Sequence, residues 1–152
     1  MAKSVDPVGA VGTDTAILDD EGCWRFLGSN GIGRLAISTE SGVDIFPINY
    51  LAAEGKIFFR SAPGTKIVEL TRDPRVAFEA DEHTFLARWS VVVRGTARRL
   101  ASDLEIERSG IQNLATWQAG DKFNYFEIQP TTISGRFIRP QASSQPSAFG
   151  SA

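Results

Sequence analysis

The sequence predicts a mainly β domain with short helices, its strands closed into a barrel. Seven short stretches of β-forming residues separated by turn signals run from Gly33 to Pro140. Two tight turns in succession, Ser41-Gly42 and Glu54-Gly55, make the first three of those strands antiparallel neighbours. Three short helical stretches, one before the strands and two between them, are placed to plug the ends or cover a side, while closure removes exposed edges.

In chain order, a short helix comes first. Asp19 or Asp20 caps it, Trp24 and Leu27 share a face, and Gly28 stops it. Gly31 and Gly33 open a strand, GRLAIST, in which Leu35 and Ile37 point one way and Arg34 and Ala36 the other. VDIFPINYLAA and KIFFRSA follow as strands two and three. PGTKIVELTRDP then reads as a helix over Thr65 to Arg72, bounded by Pro63-Gly64 and Asp73-Pro74. RVAFEADE and the Val-rich WSVVVRGTARRL are strands four and five. A helix is expected over Ser102 to Leu114, and FNYFEIQP and TTISGRFIRP are expected as the last two strands.

The chain has 152 residues, 42% of them apolar, which fits one ordinary globular domain able to bury its own core. Residues 1–14 and 141–152, small or Ser/Ala/Pro rich, are expected as loose tails around a folded unit at 15–140. A net charge of −2 supplies no global field toward nucleic acid or acidic lipid, so neither is expected as a partner. The N-terminus lacks an apolar run, no stretch is long enough to span a bilayer, and Cys23 is the only cysteine, so a cytoplasmic setting is expected.

Templates for side-chain catalysis fail. His83 is the only histidine and lies in the acidic stretch EADEHTF; with Cys23 it makes no metal set and completes no triad with Ser61 or Ser90. Asp19, Asp20 and Glu21 suit a helix start and need no catalytic reading. No catalytic side chain and no metal site are therefore expected.

Three segments carry more information. In RSAPGTK, Arg60, Ser61, Thr65 and Lys66 converge with free amides on a helix N-terminus, a competent phosphate cradle; from these residues alone a capped helix with solvated cations is the commoner reading. Trp89-Ser90 opens the Val-rich strand, where an aromatic beside a hydroxyl either covers a planar ligand or packs in the barrel. In FPINY, Pro47 marks an edge or a bulge, and Asn49 within an apolar strand needs a partner from a ligand or a neighbouring backbone. Arg94, Arg98 and Arg99 read as a solvated face or as dimer salt bridges.

In order and spacing, GRLAIST, DIFPINY, KIFFRSAPGTKIVEL, TRDPRVAFEAD and WSVVVRGTARRL resemble the pyridoxamine 5′-phosphate oxidase-like split barrels, which include actinobacterial flavin and deazaflavin oxidoreductases. The resemblance runs from about Leu18 to Phe137. It implies a split β-barrel that forms a homodimer with two flavin-type cofactors at the interface. By resemblance, Pro47, Ile48, Asn49 and Tyr50 line the ring system. Arg60, Ser61 and Lys66 hold the phosphate. Trp89 and Ser90 reach across from the other subunit. The implied cofactor is the deazaflavin coenzyme F-420 or FMN, and the implied activity is hydride transfer to or from a small organic substrate; a non-catalytic flavin-sequestering protein is the alternative. True pyridoxamine phosphate oxidases carry a histidine-containing segment near the C-terminus, and TTISGRFIRPQ has none, which argues against that substrate.

Overall fold

A computed structural model of the chain describes residues 13–62, 64–114 and 123–140. Its elements are β1 (Thr13–Leu18), α1 (Asp20–Leu27), β2 (Asn30–Thr39), β3 (Gly42–Ala53), β4 (Lys56–Ser61), α2 (Thr65–Arg72), β5 (Arg75–His83), β6 (Arg88–Arg99), α3 (Asp103–Ser109), a single 3₁₀ turn at Ile111–Asn113 and β7 (Asn124–Pro140). Every strand pairing is antiparallel, in the order β1-β7-β4-β3-β2-β5-β6, and β6 pairs again with β7. Six strands thus close a barrel and β1 is added outside the ring, the split-barrel architecture the resemblance implies.

β7 makes the closure. Asn124 to Ile128 pair with β4, Gly135 to Pro140 pair with β1, and Phe126 to Ile138 run along β6. Two strands were expected here, with a break after Pro130. The break is instead a bulge, with a register shift at Arg94/Gly95 opposite Pro130 and Thr132. Proline donates no ladder bond, and a bulge absorbs that loss without ending the strand. β1 was not expected: Thr13 and Asp14 fall in the stretch read as a tail, and TDTAIL alternates too weakly to announce a strand. The rest of both expected tails lies outside the described residues. The helix expected over 102–114 ends at Ser109, because Gly110 takes the left-handed conformation and starts the 3₁₀ turn.

Inside the ring, Phe59, Phe78, Ile57, Val91, Val93 and Ile128 are completely buried or nearly so. α1 plugs one end. Asp19 accepts the Gly22 amide at 2.7 Å as its cap, and Cys23 and Leu27 point into the core. Burial raises the Cys23 thiol pKa, so this cysteine is an inert packing group. A second cluster of Phe58, Leu100 and Ile111 lies outside the ring under α3. α3 carries a Ser102–Glu105 capping box, and Arg98 ties Glu105 to the buried Glu127, which also takes Lys56 at 3.1 Å. Of the basic run, Arg98 is therefore committed within its own chain.

At the bulge the backbones come very close: a Cβ on Gly95 would stand 2.1 Å from the Gln129 carbonyl oxygen. Gly95→Ala is expected to destabilise the fold by about 1–3 kcal/mol, read as a lowered urea midpoint with unchanged slope. A second expectation concerns Asp73, which ends α2. Hydrogen bonds from Arg75 hold its carboxyl down at about 2. A depressed folded-state pKa contributes stability that is complete above the ordinary carboxylate range and is lost as pH falls toward the folded value. The stability gap between the wild type and Asp73→Asn should therefore be constant at neutral pH and shrink steadily below about pH 4, in denaturation curves taken at stepped pH.

Candidate functional site

Strand alternation sorts the expected residues before any ligand is considered. On β3, Ile48 and Tyr50 point into the barrel, where Tyr50 is 2% exposed and donates its hydroxyl to the Leu27 carbonyl at 2.7 Å. Their side chains are core, and only their backbone can meet a surface ligand. Pro47 and Asn49 point outward. Asn49 is half-buried, and its side-chain carboxamide makes no hydrogen bond with any described residue. On the adjacent β4, Arg60 lies on the same outward side as Phe58, and Ser61 on the other.

Arg60 is partly committed. Its guanidinium donates to the Leu114 carbonyl at 2.7 Å and stacks 4.9 Å from the Phe123 ring centre. A guanidinium carries five donors, so this bond orients the group and leaves others for an anion. Ser61 donates to the carbonyl of Ala62 at 3.2 Å. α2 begins at Gly64, which has no side chain to cap it, so the partial positive charge of the helix start is not met by its N-cap residue. The side chains of Thr65 and Lys66, in that first turn, lie outside the described residues. Arg60, Asn49 and an uncapped helix start therefore border one stretch of outer surface, whose donor set fits a phosphate next to a polar ring edge.

Trp89 and Ser90 stand elsewhere. Trp89 packs at 5.7 Å from Phe26, which stacks on Phe137 at 5.3 Å, and its indole nitrogen donates to Glu82 at 3.2 Å. Ser90 points outward, opposite Asp81 on one side and Arg136 on the other. Arg60 is level with Tyr125 of β7, and Trp89 is level with Phe137. The two levels are twelve positions apart along β7, with the bulge between them.

Between these two regions runs an outward face that the strand readings did not single out. Ile32 (62% exposed), Val43 (68%) and Ile45 (66%) lie side by side with Pro47 across β2 and β3. Arg34 crosses from there to bind Glu79 at 2.9 Å and also Asp81. Burial pushes the Glu79 carboxyl up, and Arg34 opposes the shift. The signal was in the sequence: VDIFPIN is apolar on both faces, which a strand with one solvated side is not. Among the described residues there is no group of three or more His, Cys, Asp or Glu placed to hold a metal ion, and no helix is long and apolar enough to cross a membrane.

Comparison with known proteins agrees with this architecture. Residues 19–137 match the family model described as pyridoxamine 5′-phosphate oxidase. A Corynebacterium glutamicum structure named as a candidate pyridoxamine 5′-phosphate oxidase superposes with a TM-score of 0.74 at 33% identity, covering 84% of this chain and 96% of the other. An FAD-binding protein from Mycobacterium smegmatis gives 0.70 at 35% identity, over 82% and 98% of the two chains. An FAD-binding protein from Mesorhizobium loti gives 0.72 at 27%, over 84% and 98%.

Proposed function

This chain belongs to the pyridoxamine 5′-phosphate oxidase family, and we propose from that premise that it is a flavin-binding oxidoreductase acting as a homodimer. The observation that carries the reading is the shared border of Arg60, the half-buried Asn49, whose side chain bonds no other described residue, and the uncapped start of α2. Two similar proteins are FAD-binding, which favours a flavin. FAD, FMN and the deazaflavin coenzyme F-420 all present an anion and a tricyclic ring to such a border.

Arg60, Lys66 and the first-turn amides of α2 hold the phosphate, while the Ser61 side chain faces the other side of β4. Asn49 hydrogen-bonds the ring edge, and Pro47 leaves no amide to compete there. The bound flavin supplies the hydride chemistry, so the protein contributes orientation, electrostatics and exclusion of water. The substrate is a small organic molecule. Pyridoxamine phosphate is disfavoured because the C-terminal strand TTISGRFIRP contains no histidine.

The dimer reading has two supports. Ile32, Val43 and Ile45 form an exposed apolar stripe that a second copy would cover. The resemblance supplies the second, since it brings Trp89 and Ser90 to the cofactor from the other subunit, and Arg60 and Trp89 lie at well-separated levels of β7 within one chain.

Two outcomes are expected. Arg60→Ala and Lys66→Ala each weaken flavin binding roughly tenfold or more by fluorescence titration, as loss of a charge-assisted hydrogen bond predicts. A wild type that binds no flavin below high micromolar would refute the reading; slow reoxidation of bound, reduced cofactor by every acceptor tried would leave binding and remove turnover. Ile45→Asp, which sets a charge in the apolar stripe, is expected to shift the protein from dimer to monomer in sedimentation with its circular dichroism unchanged.

A further inference from the structure

The outward face of β2, β5 and β6 holds a groove of about 350 Å³ that shares no residue with the border of Arg60, Asn49 and α2. Ala36 of β2 is the direct partner of Ala77 on β5, and Ala77 is the direct partner of Arg94 on β6. All three side chains therefore leave the sheet on one face. The two alanines project only a methyl each, so the sheet has an apolar floor between taller neighbours. Val43 of β3, 68% exposed, stands on one side of that floor and Arg94 on the other. Ser38 and Arg75, two positions along β2 and β5 from the alanines, close one end. The bulge shapes the Arg94 side. Arg94 pairs with Thr132 and Gly95 with Pro130, so Thr131 is the extra residue, and its hydroxyl donates to the Arg94 carbonyl at 2.9 Å. A bulge re-aims the side chains beside it.

The charges around the groove are unevenly matched. Arg75 donates twice to Asp73, at 2.9 and 2.8 Å. Glu79, diagonal to Arg94 across β5 and β6, is held by Arg34 at 2.9 Å. Arg94 has no ion-pair partner among the described residues, and the Ser38 side chain makes no hydrogen bond with any of them. We propose that the groove binds a small aromatic carboxylate, its ring on Ala36, Ala77 and Val43 and its carboxylate on the Arg94 guanidinium. A guanidinium fork matches the two oxygens of a carboxylate. An inorganic anion would use Arg94 and leave the floor wet, while a neutral ring would cover the floor and leave Arg94 unused. The volume lies at the small end of ligand sites, which sets the size of the molecule. Because Arg60, Asn49 and α2 take no part, this site does not rest on the flavin reading.

The test is a titration of the full-length protein with 2-naphthoate, followed by its own emission, with 2-naphthalenemethanol and inorganic phosphate as comparison probes. Arg94→Gln removes the cation, and Ala77→Leu fills the floor and keeps the charge. Both positions face outward, so both variants should keep their fold, checked by circular dichroism. The expected result is naphthoate binding at least tenfold tighter than that of the alcohol or phosphate, with a loss of tenfold or more in each variant. No binding by the wild type below about 10 mM, equal binding of the alcohol, or undiminished binding by either variant overturns the proposal. Displacement of naphthoate by FAD would put the probe in the flavin site and also overturns it. Naphthoate binding that Arg94→Gln abolishes, in a protein that binds no flavin, supports the groove and refutes the flavin reading.

Discussion

β7 is shared by three neighbours, and the molecule depends on that sharing. One edge pairs with β6 from Phe126 to Ile138; the other serves β4 at its start and β1 at its end. A strand paired with β4 alone would leave half of that edge unpaired, and an unpaired edge invites other chains. The cost of running so long is one bulge at Gly95 and Pro130, which bends the strand around the ring. Because β7 is long, the two ends of the barrel are chemically separate, and the cationic region of Arg60 and the aromatic group of Phe26, Trp89 and Phe137 lie near opposite ends of it.

A six-stranded ring this small has no interior room once Phe59, Phe78 and the valines of β6 are in place. Any ligand must bind on the outside. The outer face is divided accordingly: β4 is shielded by α3 and the Phe58 cluster, β2 and β3 expose the apolar stripe, and the region of Ser90 holds charge. The polar network of Lys56, Glu127, Arg98 and Glu105 belongs to the shielded part. A buried carboxylate with two cations is an anchor for α3, and its partners are too committed to serve a ligand.

The site was legible in part. Asn49 and Pro47 stood out because each is wrong for the middle of an apolar strand, and both face outward. Ile48 and Tyr50 came from a whole segment assigned to one role, and period-two alternation turns both into the core. Arg60 was visible as a cation near a helix start, but its bond to Leu114 joins positions 54 apart, and no local pattern encodes that. Arg75 and Arg94 are unremarkable as single residues in sequence and meet at one groove only through register.

Local chemistry determined the strands, the helix at 65–72, the caps of α1 and α3, and the family, because alternation, turn residues and capping act over a few neighbours. Tertiary structure decided the rest: that β1 exists as the added strand, that the last two expected strands are one, which face of β3 is core, and which cations share a surface. Each of these depends on pairing between strands far apart in the chain. A strand's partner is set by what the whole ring can close and bury, and one residue of register exchanges its inner and outer faces.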